Sequence, residues 1–150
     1  MSAQKTLKQI RLIYFIVVIL LAVFAALSFV FITMNGRAFP MDPGAENNLK
    51  SLIIVLALAG IPASYMFHNR KVKHINQGLS TEQKLQQYRM AYFIKIMTLE
   101  GISLLSLLAY LMIGNINQIM IFGLVYLFLV LNYPKKSSIF EELNIDASDL

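Results

Sequence analysis

Cysteine is absent from all 150 residues, which excludes disulfides, thiolate zinc sites and cysteine nucleophiles. Charge is scarce as well. Asp, Glu, Lys and Arg make up 14% of the chain, where about 25% is usual for a soluble domain. A soluble fold of this length needs a mostly polar exterior, and this chain has too few charges to build one. Catalytic signatures are also missing: no Gly-rich phosphate loop, HExxH, GxSxG or CxxC occurs. Both histidines, His68 and His74, lie outside the apolar runs, so those runs hold no general base beside a second catalytic group. Haem has no histidine partner within them either. The sequence therefore predicts neither an enzyme nor a cofactor.

What is abundant is apolar surface. Hydrophobic residues reach 57%, and mean hydropathy is +0.63. The same numbers exclude a disordered chain, which would be rich in charge and poor in apolar residues. The length suits one domain. An integral membrane protein follows, with a single membrane domain over 1–150.

A bilayer core about 30 Å thick needs roughly 20 apolar residues in helical form. Four runs qualify or nearly do: Leu12–Met34, Ser51–Phe67, Ile96–Gly114 and Ile116–Tyr133. Backbone polar groups in hydrocarbon must bond within their own segment, so these runs are helices. None alternates with a period of two, as a membrane barrel would require. The first run follows Lys5, Lys8 and Arg11 as a signal peptide does. It continues past its one small-residue cluster, Ala25-Ala26-Leu27-Ser28, beyond the length of a signal core, and so reads as a retained helix.

Positive charge sets the orientation. Eleven of the thirteen Lys and Arg residues fall in the N-terminal segment, the loop 68–95 or the tail 134–150. The other two, Arg37 and Lys50, lie in the first outer loop. The expected fold is all-α: a four-transmembrane-helix antiparallel bundle in the cell inner (plasma) membrane, with N-terminus and C-terminus cytoplasmic. The net charge of +5 is then a topology signal, with no nucleic acid implied.

The loop 68–95 has structure of its own. Ser80 and Gln83 have capping-box spacing, and Leu85, Tyr88 and Tyr92 form one apolar stripe. With no Gly or Pro before Gly101, the third helix should run unbroken from Thr81 to about Gly114, its first turns extended into the cytoplasm. Gly114-Asn115 supplies a C-cap and turn into the fourth span, which Pro134 halts. A second capping box, Ser138 to Glu141, should start a short tail helix with Ile139, Phe140 and Leu143 on one side. The segment Asn35–Lys50 reads as an irregular loop.

Glu100 is the leading candidate for chemistry, because an ionisable residue inside a span is by default a functional hypothesis. Ser103, Ser106 and Tyr110 follow near the same helix face, and together they could line a proton or cation path. The plainer alternative starts from depth. Glu100 lies four residues past Ile96, about 6 Å inside the boundary by helix rise. There it can reach headgroups or pair with His68 or Arg70, while the hydroxyls serve as interhelical bonds.

Arg70, Lys71 and Lys73 form a basic cluster able to hold an anionic lipid headgroup, a phosphate or an acidic partner. It also reads as a plain topological anchor. The acidic tail Glu141-Glu142-Leu143-Asn144-Ile145-Asp146 could clasp it, though exposed pairs contribute only about 0–1 kcal/mol each. The small-residue pairs Ala22/Ala26, Ala59/Ala63 and Gly60/Ser64 mark expected helix contacts, and Gly60-Ile61-Pro62 an expected kink. The two histidines, without a nearby Cys or Asp, make a poor metal site.

The segments Ile96-Met97-Thr98-Leu99-Glu100-Gly101 and Tyr110-Leu111-Met112-Ile113-Gly114-Asn115 resemble those of small bacterial four-helix membrane proteins without an assigned activity. The resemblance covers Tyr88 to Leu143 and implies residence in a bacterial inner membrane, with no added chemistry. The reading that follows is a non-enzymatic accessory or partner-binding membrane protein, its partners being membrane lipids and another membrane protein or a second copy. Two alternatives remain open: a small oligomeric proton- or cation-coupled transporter using Glu100, and anionic-lipid binding through the basic loop.

Overall fold

Ser80 and Gly114 bracket the element around which the rest is built. In the computed structural model, which describes residues 3–145, the Ser80 hydroxyl accepts from the Gln83 amide and the Gln83 side chain accepts from the Ser80 amide. Gly114 ends the helix in the left-handed region at φ 72°, its amide donating to Tyr110 O at 2.7 Å. Five helices result, and no strand occurs among the described residues. They are α1 (Ala3–Asn35), α2 (Pro43–Lys73), α3 (Thr81–Ile113), α4 (Ile116–Leu131) and α5 (Lys136–Leu143).

Three of them, α1, α2 and α3, are each long and apolar enough to cross a membrane. The fourth expected span is shorter than the sequence implies. At 16 residues, α4 extends about 24 Å by helix rise, short of a bilayer core of about 30 Å. It meets the length requirement only together with α5, from which it is bent by 73°.

The packing has a hub. Half of the apolar window of α3 is buried (50%), against 17% in α1 and in α2. Leu85, Ile96, Leu99 and Leu107 of α3 are wholly enclosed, together with Val125 and Leu129 of α4. Helices α1, α2 and α4 each pack on α3, while α1 and α2 scarcely meet. Their outer faces present large apolar side chains, among them Leu12, Leu20, Leu27, Val55 and Leu58. Such a surface is stable only in an apolar solvent.

On its inner side α1 carries Leu7, Ile10, Tyr14, Val17 and Leu21, all buried, in steps of three and four like one seam of a coiled coil, with buried Ser28 seven residues further on. On α2 the inner stripe is Ile53, Ala57, Ser64 and His68. Gly60 lies in the same stripe, where an added Cβ would collide with the Ile102 side chain. Ala22, Ala26, Ala59 and Ala63 are exposed. They take no part in the helix contacts within the chain, because α3 stands between α1 and α2 and takes the inner faces of both. Helix α2 stays continuous through Pro62.

Two boundaries differ from expectation. Helix α2 begins within the segment expected to be irregular. The Asp42 carboxylate accepts from the Ala45 amide at 3.0 Å, and Pro43, whose missing N–H costs nothing at a helix start, follows at the first helical position. The ion pair Lys50 Nζ–Glu46 Oε1 at 2.6 Å, one turn apart, supports that start. The tail helix begins at Lys136, capped by Lys135 without a side-chain bond. Ser138 therefore lies inside α5 rather than at its cap, because Pro134 ends the preceding chain early enough for a turn to form at 136. Ile139, Phe140 and Leu143 do bury one side of α5.

Candidate functional site

The ends of α2 and α4, the second to fourth turns of α3 and the whole of α5 converge at one end of the molecule. Tyr88, Tyr92 and Lys95 recur at helical spacing along α3, and all three are buried. Tyr88 and Tyr92 stack, with ring centroids 6.2 Å apart. The His68 ring, 1% exposed, meets Tyr88 edge-on at 5.3 Å and Tyr92 at 6.5 Å. Its Nε2 donates to Glu142 Oε2 at 3.1 Å, which ties α5 to α2. His68 Nδ1 is buried without a partner.

Lys95 is only 6% exposed. Its Nζ lies 5.3 Å from the centre of the Tyr65 ring and 5.5 Å from that of Tyr92, a cation between two π faces. A hydrogen-bonded frame fixes those rings. The Tyr92 hydroxyl donates to Asn132 O at 2.8 Å, and the Asn132 amide donates to the Tyr65 hydroxyl and to Phe128 O. Between α3, the end of α4 and α5 a recess of about 180 Å³ remains, lined by Lys95, Tyr88, Tyr92, Ser138 and Glu142 among others.

The sequence-predicted residues lie elsewhere or pair differently. Glu100 does not pair with His68, which is taken by Glu142, nor with Arg70. Its Oε2 is buried and makes no hydrogen bond. Ser103 and Ser106 are wholly buried and Tyr110 nearly so, which makes the stripe an interior one. The Ser106 hydroxyl donates to Ile102 O of its own helix at 2.9 Å, while Ser103 Oγ has no partner. Glu100 and Ser103 thus form a pair of unsatisfied polar groups one turn apart.

Arg70, Lys71 and Lys73 are exposed on the last turn of α2, where cations complement the negative end of the helix dipole. Lys71 lies over the Phe67 ring at 5.6 Å. The expected clasp between basic loop and acidic tail takes a different form: Glu142 reaches the buried His68 and bypasses the exposed cations. Asp146, and the rest of the tail from 146 to 150, lie outside the described residues.

Sequence reasoning overlooks Lys95, Asn132 and the His68–Glu142 link. A signal for Lys95 exists, since it extends the Leu85, Tyr88, Tyr92 stripe by three residues. A lysine on the buried face of a helix demands an explanation, and the stripe supplies the rings that surround it. No family model, curated protein or solved structure matches the chain.

Proposed function

We propose that this chain is a non-enzymatic membrane protein that crosses the bilayer four times, with both ends cytoplasmic, and acts as an accessory or partner-binding subunit in a bacterial inner membrane. The observation that carries the reading is the hub. One helix is packed on three sides, while α1 and α2 turn broad apolar faces outward with Ala22, Ala26, Ala59 and Ala63 exposed on them. Small residues let a second helix backbone approach closely in lipid, where no hydrophobic force drives association.

Antiparallel passage is supported by the register of the contacts. Tyr14 bonds to Val130 and Tyr126 to Val18, so α1 and α4 run against each other, and α4 turns back from α3 at Gly114-Asn115 to bring Asn132 to Tyr92. The skew of Lys and Arg toward one side supports the orientation. A short α4 is compatible with crossing when the bilayer thins locally or flanking residues reach its surface. Disulfide crosslinking of the Ala22→Cys and Ala59→Cys variants in native membranes, followed by mass measurement in detergent, tests the reading. A crosslinked homo-oligomer or a defined co-purifying subunit is expected. A chain that stays monomeric and alone in both experiments contradicts it.

Glu100 favours a second reading, a small oligomeric proton- or cation-coupled carrier. Its specific support is the unsatisfied Oε2, beside the equally unsatisfied Ser103. Proteoliposomes with a pH- or cation-sensitive dye test it: flux abolished by Glu100→Gln supports transport, and absence of flux removes it.

A further inference from the structure

We propose that the recess between α3, α4 and α5 binds a phosphate group bearing a primary amine, as in a phosphoethanolamine lipid headgroup, with Lys95 taking the phosphate and Glu142 the ammonium. The inference goes beyond the partner-binding role. It requires the α4–α5 corner to lie at a bilayer surface but not on a particular side.

A buried ammonium is strongly disfavoured unless an anion compensates it. Among the described residues no carboxylate comes within ion-pair distance of Lys95; Glu142, in the same recess, is near enough to act on it electrostatically but bonds to His68. Two tyrosine faces offset part of the penalty, and an anion in the recess would supply the rest. Lys135 and the Ser138 hydroxyl, at the start of α5, line the same opening and add a second cation and a donor.

The other end of the site asks for a cation. Glu142 is 40% exposed at its side chain; His68 and the Tyr88 hydroxyl both bond it, and a carboxylate has about four acceptor sites, so capacity remains on the open side. A ligand with phosphate and ammonium a few bonds apart satisfies Lys95 and Glu142 together. The free aromatic faces that a quaternary amine would need are already committed: Tyr92 faces Lys95, and Tyr88 stacks on Tyr92. A primary amine, which can donate hydrogen bonds to a carboxylate, suits what is left. Size agrees. At about 180 Å³ the recess is smaller than the roughly 300–1,000 Å³ of drug-sized ligand sites, so it admits a headgroup while the acyl chains stay in lipid.

The test uses the full-length protein in uncharged detergent, with bound ligand read by native mass spectrometry. The probes are short-chain phosphatidylethanolamine, phosphatidylcholine and phosphatidylglycerol, and free O-phosphoethanolamine. Wild type is expected to bind the ethanolamine lipid about tenfold or more tightly than the other two, as one additional charged hydrogen bond implies. Glu142→Gln should erase that preference and spare phosphatidylglycerol. Lys95→Gln should weaken all three phospholipids, with a smaller loss for the exposed variant Lys135→Gln, which serves should the Lys95 variant fail to fold. Retention of the lipid but not of O-phosphoethanolamine assigns the site to a membrane headgroup, and equal binding of both assigns it to a soluble amine phosphate. Equal binding of all three lipids by wild type, or a preference that survives both Glu142→Gln and Lys135→Gln, overturns the proposal.

Discussion

His68 Nε2 and Glu142 Oε2 lie 3.1 Å apart although 74 residues separate them in the chain. One partner is almost fully buried and the other part-exposed, at 2% and 40% of their side-chain surface. The pair fastens the short α5 to the end of α2. Because α5 otherwise rests on Ile139, Phe140 and Leu143, the bond orients the helix more than it holds it down.

Replacing Glu142 by Ala should therefore loosen α5 without unfolding the chain. Partial exposure keeps the loss to about 1 kcal/mol, near the middle of the range for a hydrogen bond. Limited proteolysis should cut near Pro134–Ser138 sooner in Glu142→Ala than in wild type, at unchanged helix content by circular dichroism. Leu143→Ala, which empties a fully enclosed position, should be worse, at about 2–5 kcal/mol.

Gly60 sets the α2 backbone against the Ile102 side chain of α3. A larger residue there meets the Ile102 side chain, so Gly60→Leu should cost about 1–3 kcal/mol through overpacking. Adding Ile102→Ala should recover part of that loss. A double-mutant cycle measured by thermal denaturation in detergent checks it, and strict additivity would mean the two residues do not touch.

Gly114 closes α3 at φ 72°, with an added Cβ only 3.3 Å from Arg37 Cβ. Gly114→Ala should destabilise by about 1–2 kcal/mol, the usual penalty for a side chain in the left-handed region. Gly114→Asn should be milder in its backbone effect, because asparagine adopts that conformation more readily. Both are read from the melting temperature.

Glu100 loses no partner when neutralised. Glu100→Gln should leave the melting temperature of the isolated protein nearly unchanged, within about 0.5 kcal/mol. A large drop would reveal a hydrogen bond or subunit contact that the single chain does not contain.

Local chemistry was legible in the sequence, and contacts between distant residues were not. The boundaries of α3 follow from Ser80, Gln83 and Gly114, each acting within one turn of itself. The apolar run of α1 announces its own helix. The start of α2 was obscured because Glu46, Asn47 and Asn48 break the hydrophobic pattern, although Asp42-Pro43 carries the cap-and-proline signature of a helix start. The hub role of α3 lies in no single segment. It arises because α3 is buried on several faces, whereas sequence periodicity finds one face at a time. His68 stands two residues before the exposed basic cluster that starts at Arg70. One turn of helix separates it from Lys71 and Val72, and it lies on the inward face that Ser64 also shares. The candidate stripe Glu100, Ser103, Ser106 and Tyr110 was correctly placed on one helix, yet its partners could not be read from spacing.

The absence of native cysteine makes the decisive experiment clean, since each introduced thiol is the only one present. Single cysteines at the exposed positions Arg37, Gln77, Asn117 and Lys136 would be challenged with a membrane-impermeant maleimide on intact spheroplasts. Four crossings with both ends inside predict labelling at positions 37 and 117, and at 77 and 136 only after permeabilisation. Labelling of 117 and 136 from the same side would show that α4 does not cross, and would contradict the account.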